Sequence, residues 1–585
     1  MKYTLLTLTA LLLALPAALL AAEPAHVEKL ASKRPAVEVP SEPWSKPDPT
    51  ALKRWQEMRF GLFINWGPVS ISGQRIGWSR GSPTPIEEYD NLYKKFDAPK
   101  FNPDEWASIG KAAGMKYVVF DTKHHDGFCL WDTKQTDYNV MNAPLKRDVA
   151  KEVAEAFRKQ GLGVGFYHSV CDWHHPDFPR TGPGGSVKRE KSDIVAYRRY
   201  LRAQVTELIK NYGPLQVMWF DVPMEFDQEQ GWENVRLCRT LQPDILVNDR
   251  AGGTKGQGLG DFSTPERQIG AFNMERPWES CITLGNSWSW KENDAIKPFA
   301  ECIQLLVNTA AGDGNLLLNV GPMPDGRIEP RQADRLKEMG DWLAKYGQSI
   351  YATRGGPYMP AKHVASTRTG NTVYVHIIAW PEEVLRLPAL PAKIVSSLVL
   401  TGGKASVEQT AAGVEIRVPA ADRQESDTIV ALELDKPALE IAPIPVASLH
   451  QPLTVGKKAK GSSVLHVLGN VRRYAADRAV DGDNHTRWCT AKEAKAAWLE
   501  VDLGKPETFD RAVISEFGTS VKRFELQARE GDVWKTFHSG KTIGPAFDIR
   551  FAPVTAQHVR LNILDAARAP SILEFQLFAP KKSGN

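Results

Sequence analysis

Residues 51–351 repeat one pattern, in which a short and almost wholly apolar run is followed by a longer stretch with apolar residues at helical spacing. The runs at 60–65, 117–120, 163–168, 215–220, 245–248 and 316–320 lack the in-and-out alternation of half-solvated strands. Several therefore read as strands buried on both faces, the situation of a parallel sheet covered by helices. Helical periodicity runs over 148–160, 192–212 and 329–346, where Leu336, Met339, Trp342 and Leu343 share one face. Alternation sustained over roughly 300 residues predicts a (β/α)₈-like barrel across 51–350.

The chain of 585 residues is too long for one hydrophobic core. Beyond 351 the helical period stops and short runs at 372–378, 394–400 and 414–418 alternate with Gly, Pro and Asn turns, which predicts a β-sandwich over 351–440. Prolines mark 441–461 as a linker, and a further β-rich module occupies 462–580. At the other end, Lys2, an apolar run from Leu5 to Leu20 and the small pair Ala21-Ala22 predict a signal peptide over 1–22. An extended leader over 23–50 follows, rich in Pro, Ala and charge. Export to the periplasm or the extracellular space is expected, with no membrane span after the signal, since no later run approaches ~18 apolar residues. Net charge is +4 with both signs interleaved, so there is no concentrated basic face for nucleic acid. Six scattered cysteines suit neither a disulfide framework nor a zinc site and read mostly as buried thiols.

A parallel barrel gathers its active site at the C-terminal ends of its strands. Asp221 follows the run 215–220 and is the foremost candidate. Glu266 lies far enough along for one β/α crossover to return it to the same mouth, and Glu279 is a second choice of partner. Two carboxyl groups so placed suit glycoside hydrolysis, one to attack or activate water and one to protonate the leaving oxygen. His124 and His125 follow 117–120; side chains of neighbouring residues diverge in extended chain and no third ligand is suitably spaced, which disfavours zinc. Imidazoles there suit hydrogen bonds to hydroxyl groups. The pair His174-His175, in the loop after 163–168, stays open between a solvent-facing and a site role.

Six segments in order resemble the α-L-fucosidases of glycoside hydrolase family 29. They are Arg59-Phe60-Gly61-Leu62-Phe63-Ile64-Asn65-Trp66-Gly67-Pro68, Phe101-Asn102-Pro103 through Trp106, and Lys123-His124-His125-Asp126-Gly127-Phe128. Trp219-Phe220-Asp221, Trp278-Glu279-Ser280-Cys281 with Asn286-Ser287-Trp288, and Gly314-Asn315-Leu316-Leu317-Leu318-Asn319-Val320-Gly321-Pro322 complete the set. The resemblance implies exo-acting hydrolysis of terminal α-L-fucosyl groups with retention, on fucosylated oligosaccharides or glycoconjugates, with no cofactor for catalysis. It maps the nucleophile to Asp221 and the acid/base to Glu266, with Glu279 and Glu275 open for the second role. It also implies that Arg250 steadies the nucleophile, that His124 and His125 bind fucose hydroxyls, and that Trp66, Trp78 and Trp219 line the pocket. Two positions depart from the family pattern. Asn65 stands where a His is usual and Gly77 where many members carry Glu, which leaves open a shifted sugar preference such as L-galactose.

The C-terminal module resembles a discoidin-like (F5/8 type C, galactose-binding-like) carbohydrate-binding domain, a β-sandwich of jelly-roll type. Its marks are Ala479-Val480-Asp481-Gly482-Asp483 with Thr486-Arg487-Trp488, Trp498-Leu499-Glu500-Val501-Asp502-Leu503-Gly504, and Glu574. The resemblance implies a structural calcium on Asp481, Asp483, Thr486 and Glu574. A glycan-binding protein without turnover is the alternative from a different class.

Overall fold

Burial on both faces does organise the first part of the chain, which in this computed structural model is built on seven parallel strands. They are β1 (Phe60–Ile64), β2 (Tyr117–Lys123), β3 (Gly163–Ser169), β4 (Val217–Asp221), β5 (Leu246–Val247), β6 (Glu279–Thr283) and β7 (Asn315–Val320). The sheet order is β5-β4-β3-β2-β1-β7-β6. Parallel bridges Asn248↔Phe262, Ser263↔Trp278 and Glu266↔Cys281 continue the pairing from β5 to β6. Residues 262–266 thus take the eighth position of a (β/α)₈-like barrel without becoming a regular strand. The structure describes residues 42–183, 188–253, 259–380, 382–446, 452–466, 473–483 and 486–580. The expected signal peptide over 1–22 lies outside these, as does most of the leader.

Within the stretch expected as leader, Trp44 and Ser45 pack against the barrel domain while most of residues 42–50 stay exposed. Trp44 meets Trp232 edge-on at 6.1 Å, and helix α1 (Pro49–Met58) starts behind the cap of Asp48, whose carboxylate accepts from Ala51 N–H at 2.7 Å. The helices between strands begin at the side-chain oxygens that suit this position. Asn102 caps α2 (Pro103–Ala112), Asp148 caps α3 (Val149–Lys159) and Asp193 caps α4 (Ile194–Asn211). A reciprocal Asp227–Gln230 capping box opens α5 (Gln228–Leu241). The remaining long helices are α6 (Phe299–Ala311) and α7 (Pro330–Tyr346). The start of β1 is tied to the start of β7 by the fully buried Arg59, which donates to Asp313 at 2.7 Å and to the Gly314 carbonyl at 3.1 Å. Arg354 pairs with the same carboxylate at 2.6 Å. Losing Asp313 would strand the buried Arg59 cation, a change that typically costs ~3–5 kcal/mol.

After the barrel, a five-stranded antiparallel sheet that includes Val364–Thr369, Thr372–Ile377, Ile394–Val399 and Thr428–Leu434 faces a three-stranded one of Leu385–Leu387, Ser406–Thr410 and Gly413–Arg417. Val373, Val375, Val414, Ile416, Val430 and Leu432 fill the space between them. The chain divides into two compact units at Val446 and Ala447. The second unit is an antiparallel sheet module whose long strands Ala497–Glu516 and Phe547–Ala566 pair along most of their length, around a core that includes Trp488, Leu499, Leu561 and Phe575. Its first strand is Lys458–Gly461, paired to residues 499–502, so the sheet starts inside the stretch expected as linker. Lysines at 458 and 460 and a glycine at 461 hide that strand in the sequence, because no apolar alternation marks it. All six cysteines are buried free thiols. Among the described residues no helix is long and apolar enough to cross a membrane.

Candidate active site

The C-terminal ends of the strands open into a cavity of about 430 Å³. Asp221, the last residue of β4, and Glu266, on the irregular eighth position, both line it. One nitrogen joins them. Arg250 Nη1 donates to Asp221 Oδ1 at 2.7 Å and to Glu266 Oε2 at 3.1 Å. The guanidinium is itself fixed: Nε donates to Thr264 Oγ1 at 2.7 Å, Nη2 to the Thr264 carbonyl at 2.8 Å, and its carbon stands 4.8 Å from the centre of the Trp219 ring. Thr264 in turn donates to Asp249 at 2.6 Å.

Asp221 is recessed, with 14 % of its side chain exposed against 38 % for Glu266, so only the second carboxylate has ready access to bulk water. Burial pushes the Asp221 carboxyl up, but the charge and hydrogen bond of Arg250 lead the opposing effects and the group is held below the usual carboxylate range. Its other oxygen accepts from the Tyr167 hydroxyl at 3.0 Å. Burial and the Asp221 charge raise Tyr167 well above the ordinary tyrosine value, so it remains a donor. His125 Nε2 stands 3.8 Å from Asp221 Oδ2, while Nδ1 is 2.7 Å from Ser169 Oγ. Ser169 spends its proton on the Cys171 carbonyl at 2.7 Å, so Nδ1 carries the imidazole hydrogen and Nε2 presents a lone pair to the cavity. Burial takes His125 down to about 4, against a partial pull upwards from Asp221, and the ring is neutral at physiological pH. His124 is also depressed by burial, and its ring stacks on Tyr167 with centroids 5.5 Å apart.

The two histidine rings lie 4.0 Å apart and do not diverge, because the chain leaves β2 at Lys123 and turns, with Gly127 N–H bonding the His124 carbonyl. Gly77 is not a wall of the cavity but the backing of His124. Its φ is +64°, and a Cβ there would stand 2.8 Å from His124 Nδ1. Asn65 does line the cavity, with its amide fixed at both ends. Nδ2 donates to Asp121 at 3.0 Å and Oδ1 accepts from Asn319 at 2.8 Å. Trp78 and Trp219 line the cavity as expected from the resemblance.

Trp66 does not join them. As the neighbour of Asn65 it points the opposite way, packed among Phe96, Phe101 and Trp106 in the barrel's outer core with its N–H on the Met323 carbonyl. Glu279 is fully buried at the first position of β6, outside the cavity lining, accepting from the Tyr117 hydroxyl and from Trp219 Nε1 at 3.0 Å. Burial, partly offset by those two donors, pushes it to about 7. Glu275 lies on an exposed turn outside the cavity lining, and His174 is spent in stacking on Tyr138 at 3.9 Å. Residues the sequence reading passed over include Tyr167, Trp288 and Phe63, all cavity walls, and Thr264.

In the second unit, Thr486 Oγ1 bonds both oxygens of Asp481 at 2.9 and 2.8 Å, and Gly482 N–H donates to Glu574 Oε1 at 2.9 Å. Glu574 Oε2 is buried without a hydrogen-bond partner among the described residues. Burial and the Asp481 charge push Glu574 to about 7. No cluster of three or more acidic, His or Cys side chains suited to a metal occurs among the described residues, so Asp483 is not gathered with the other two acids.

Two carboxylates sharing one guanidinium at the mouth of a parallel barrel, walled by indole, phenol and neutral imidazole groups, define a glycoside hydrolase. The sequence profile described as alpha-L-fucosidase matches residues 30–348, and that of the F5/8 type C domain matches 458–575. The human tissue alpha-L-fucosidase is 30% identical over 371 residues, covering 58% of this chain and 78% of its own. The chain belongs to the alpha-L-fucosidase family. Among solved structures, alpha-L-fucosidase isoenzyme 1 from Paenibacillus thiaminolyticus is similar with a TM-score of 0.61 at 33% identity, over 66% of this chain and 99% of that one. A GH29 alpha-L-fucosidase from Bacteroides thetaiotaomicron, described as a trapped covalent intermediate with 2-fluoro-fucosyl fluoride, gives 0.60 at 27% identity, over 66% and 97%.

The balance at Asp221 gives a signed pH prediction. Burial alone raises this carboxyl and Arg250 is the first of the groups that lower it. In Arg250→Gln the acid limb of kcat/KM for an aryl α-L-fucoside should move to higher pH by about one unit or more. A limb that stays in place would show that Arg250 does not set the charge state of the essential carboxylate.

Proposed function

We propose that the chain is an exo-acting, retaining α-L-fucosidase that removes terminal α-L-fucosyl groups from glycans by double displacement. Asp221 is the nucleophile and Glu266 the acid/base. The observation that carries this reading is the shared Arg250 nitrogen. Contacts of 2.7 and 3.1 Å from one nitrogen bring an oxygen of each carboxylate to the same donor, which supports the close ~5–5.5 Å pairing of retaining enzymes over the wider spacing that inverting pairs keep for a water. The covalent intermediate described for the Bacteroides relative supports the same course.

In the first step Asp221 Oδ attacks the anomeric carbon while Glu266 gives its proton to the departing glycosidic oxygen. In the second, Glu266 takes a proton from water, which attacks the same carbon and releases the Asp221 carboxylate. The neutral His125 Nε2 accepts from a sugar hydroxyl, and Trp78, Trp219 and Trp288 offer ring faces to the sugar's C–H groups. The two carboxylates supply both the covalent and the proton-transfer chemistry, so no cofactor takes part.

Azide separates the roles. Asp221→Ala should lose about three or more orders of magnitude in kcat, and azide should yield the inverted β-L-fucosyl azide. With an activated aryl fucoside, Glu266→Ala should yield the α-L-fucosyl azide, since azide then opens the glycosyl-enzyme. An α-azide from Glu279→Ala instead would transfer the acid/base role to Glu279.

Asn65 favours a second reading, a sugar preference shifted towards α-L-galactosides. Its amide replaces a proton-carrying ring with a fixed donor and acceptor in the cavity wall. Comparison of aryl α-L-fucoside with aryl α-L-galactoside decides: a higher kcat/KM for the galactoside would replace fucose as the substrate.

For the second unit we infer a glycan-binding role and a structural calcium. Asp481 and Glu574 with the Thr486 hydroxyl form a hard-oxygen set, and the unpartnered buried oxygen of Glu574 is a position a cation would relieve. Bound there, the ion would neutralise the two acids and tie the Asp481 loop to the strand that carries Glu574. Chelation should lower the thermal midpoint of this unit by several degrees and calcium should restore it; an unchanged midpoint would remove the ion from the account.

A further inference from the structure

A second cavity of about 690 Å³ adjoins the first and shares three walls with it, Trp78, Glu266 and Trp288. Glu266 stands on the boundary, so the group it protonates leaves the first cavity towards the second. Apart from Glu266, the charged residues lining this second cavity are all cations: Arg75, Arg267 and Lys291. All three are exposed, and none forms an ion pair with a carboxylate among the described residues.

The cavity is built by two braced loops. Ser289 Oγ donates to the Gln74 carbonyl at 2.8 Å and accepts from Ile76 N–H at 3.2 Å, locking the loop after β1 to the loop after β6. Arg267 donates to the Asn286 carbonyl at 3.1 Å, and its guanidinium lies 5.3 Å from the Trp288 ring centre. Asp294, on the same loop, is buried and turned onto the Asn286, Ser287 and Ala295 amides at 2.7, 3.1 and 3.0 Å. Three cations held around one void without a pairing carboxylate favour an anion there, because each keeps donors available for charge-assisted hydrogen bonds.

We infer that this second cavity receives the aglycone and that its cations select glycans carrying an anionic group, a carboxylate or a sulfate ester, beside the terminal α-L-fucosyl residue. The inference rests on the hydrolytic reading of the first cavity.

The test compares kcat/KM of the full chain on four substrates: an aryl α-L-fucoside, a neutral fucosylated oligosaccharide, and the same oligosaccharide carrying a carboxylate or a sulfate. At low salt at least one anionic form should exceed the neutral one by about three- to tenfold, the scale of one or two exposed ion pairs, and the gain should shrink towards ~1 M salt. A gain for one anion and not the other assigns the source. In the R75A/K291A double variant the gain should vanish while the neutral oligosaccharide changes less than about twofold. Equal rates for neutral and anionic forms in the parent, or a gain that survives the double variant, would overturn the inference. Should the double variant not fold, a gain in the parent that persists at high salt overturns it equally. Turnover of the aryl fucoside reports the first cavity separately, so its absence would sink the underlying reading and the inference together.

Discussion

The first unit's chemistry depends on where one buried cation can sit. Arg250 contacts both Asp221 and Glu266 through a single nitrogen, and it is held there by two contacts to Thr264 and by the Trp219 face. A recessed carboxylate in this place would otherwise be forced towards its neutral form by burial. In the proposed reaction the cation is never left alone. Before attack it faces an ionised Asp221 and a protonated Glu266; in the glycosyl-enzyme Asp221 is an ester and Glu266 is the anion. One negative charge is present in each state and Arg250 is bonded to both sites, so the charge changes hands without the protein reorganising, which is the economy of a preorganised electrostatic site.

That arrangement explains why the eighth strand of the barrel is irregular. A regular strand over 262–266 would spend the Thr264 carbonyl and the neighbouring backbone on ladder hydrogen bonds. Here single bridges hold the segment at Asn248, Trp278 and Cys281, and between them Thr264 turns its carbonyl and hydroxyl to Arg250. The ring of strands is closed by these single bridges and left open enough to seat the guanidinium. Glu266, at the end of the same segment, inherits its exposure from that looseness.

How much of this was legible in the sequence divides along physical lines. Buried parallel strands announce themselves by unbroken apolar runs, and the six expected between 60 and 320 correspond to β1 to β5 and β7 within a few residues. β6 was missed because Glu279-Ser280-Cys281-Ile282-Thr283 carries polar residues at most positions, each of them satisfied locally. Asp221 was readable because it closes an apolar run at the mouth, whereas Arg250 was readable only through the family resemblance. Tyr167 was not, since a strand buried on both faces has no alternation to show which side chains reach the mouth. Trp66 shows the opposite failure: a tryptophan in a family motif was expected at the sugar, but the backbone alternation that presents Asn65 to the cavity sends its neighbour outward.

Glu279 shows why a carboxylate's residue type and approximate position do not settle its role. It sits on a barrel strand, its pKa is shifted into the range useful for proton transfer, and it is within bonding distance of an active-site ring. Yet both of its oxygens are already engaged, by the Tyr117 hydroxyl and the Trp219 indole, and neither faces the cavity. With both oxygens engaged outside the cavity lining it has no path to a leaving oxygen in this geometry, which is why the proposed acid/base role falls to Glu266. What Glu279 does is fix the plane of Trp219 from behind, and that ring carries Arg250 on its face. The buried acid therefore bears on the site through position: it bonds the indole, the indole and Thr264 hold the guanidinium, and the guanidinium contacts both carboxylates.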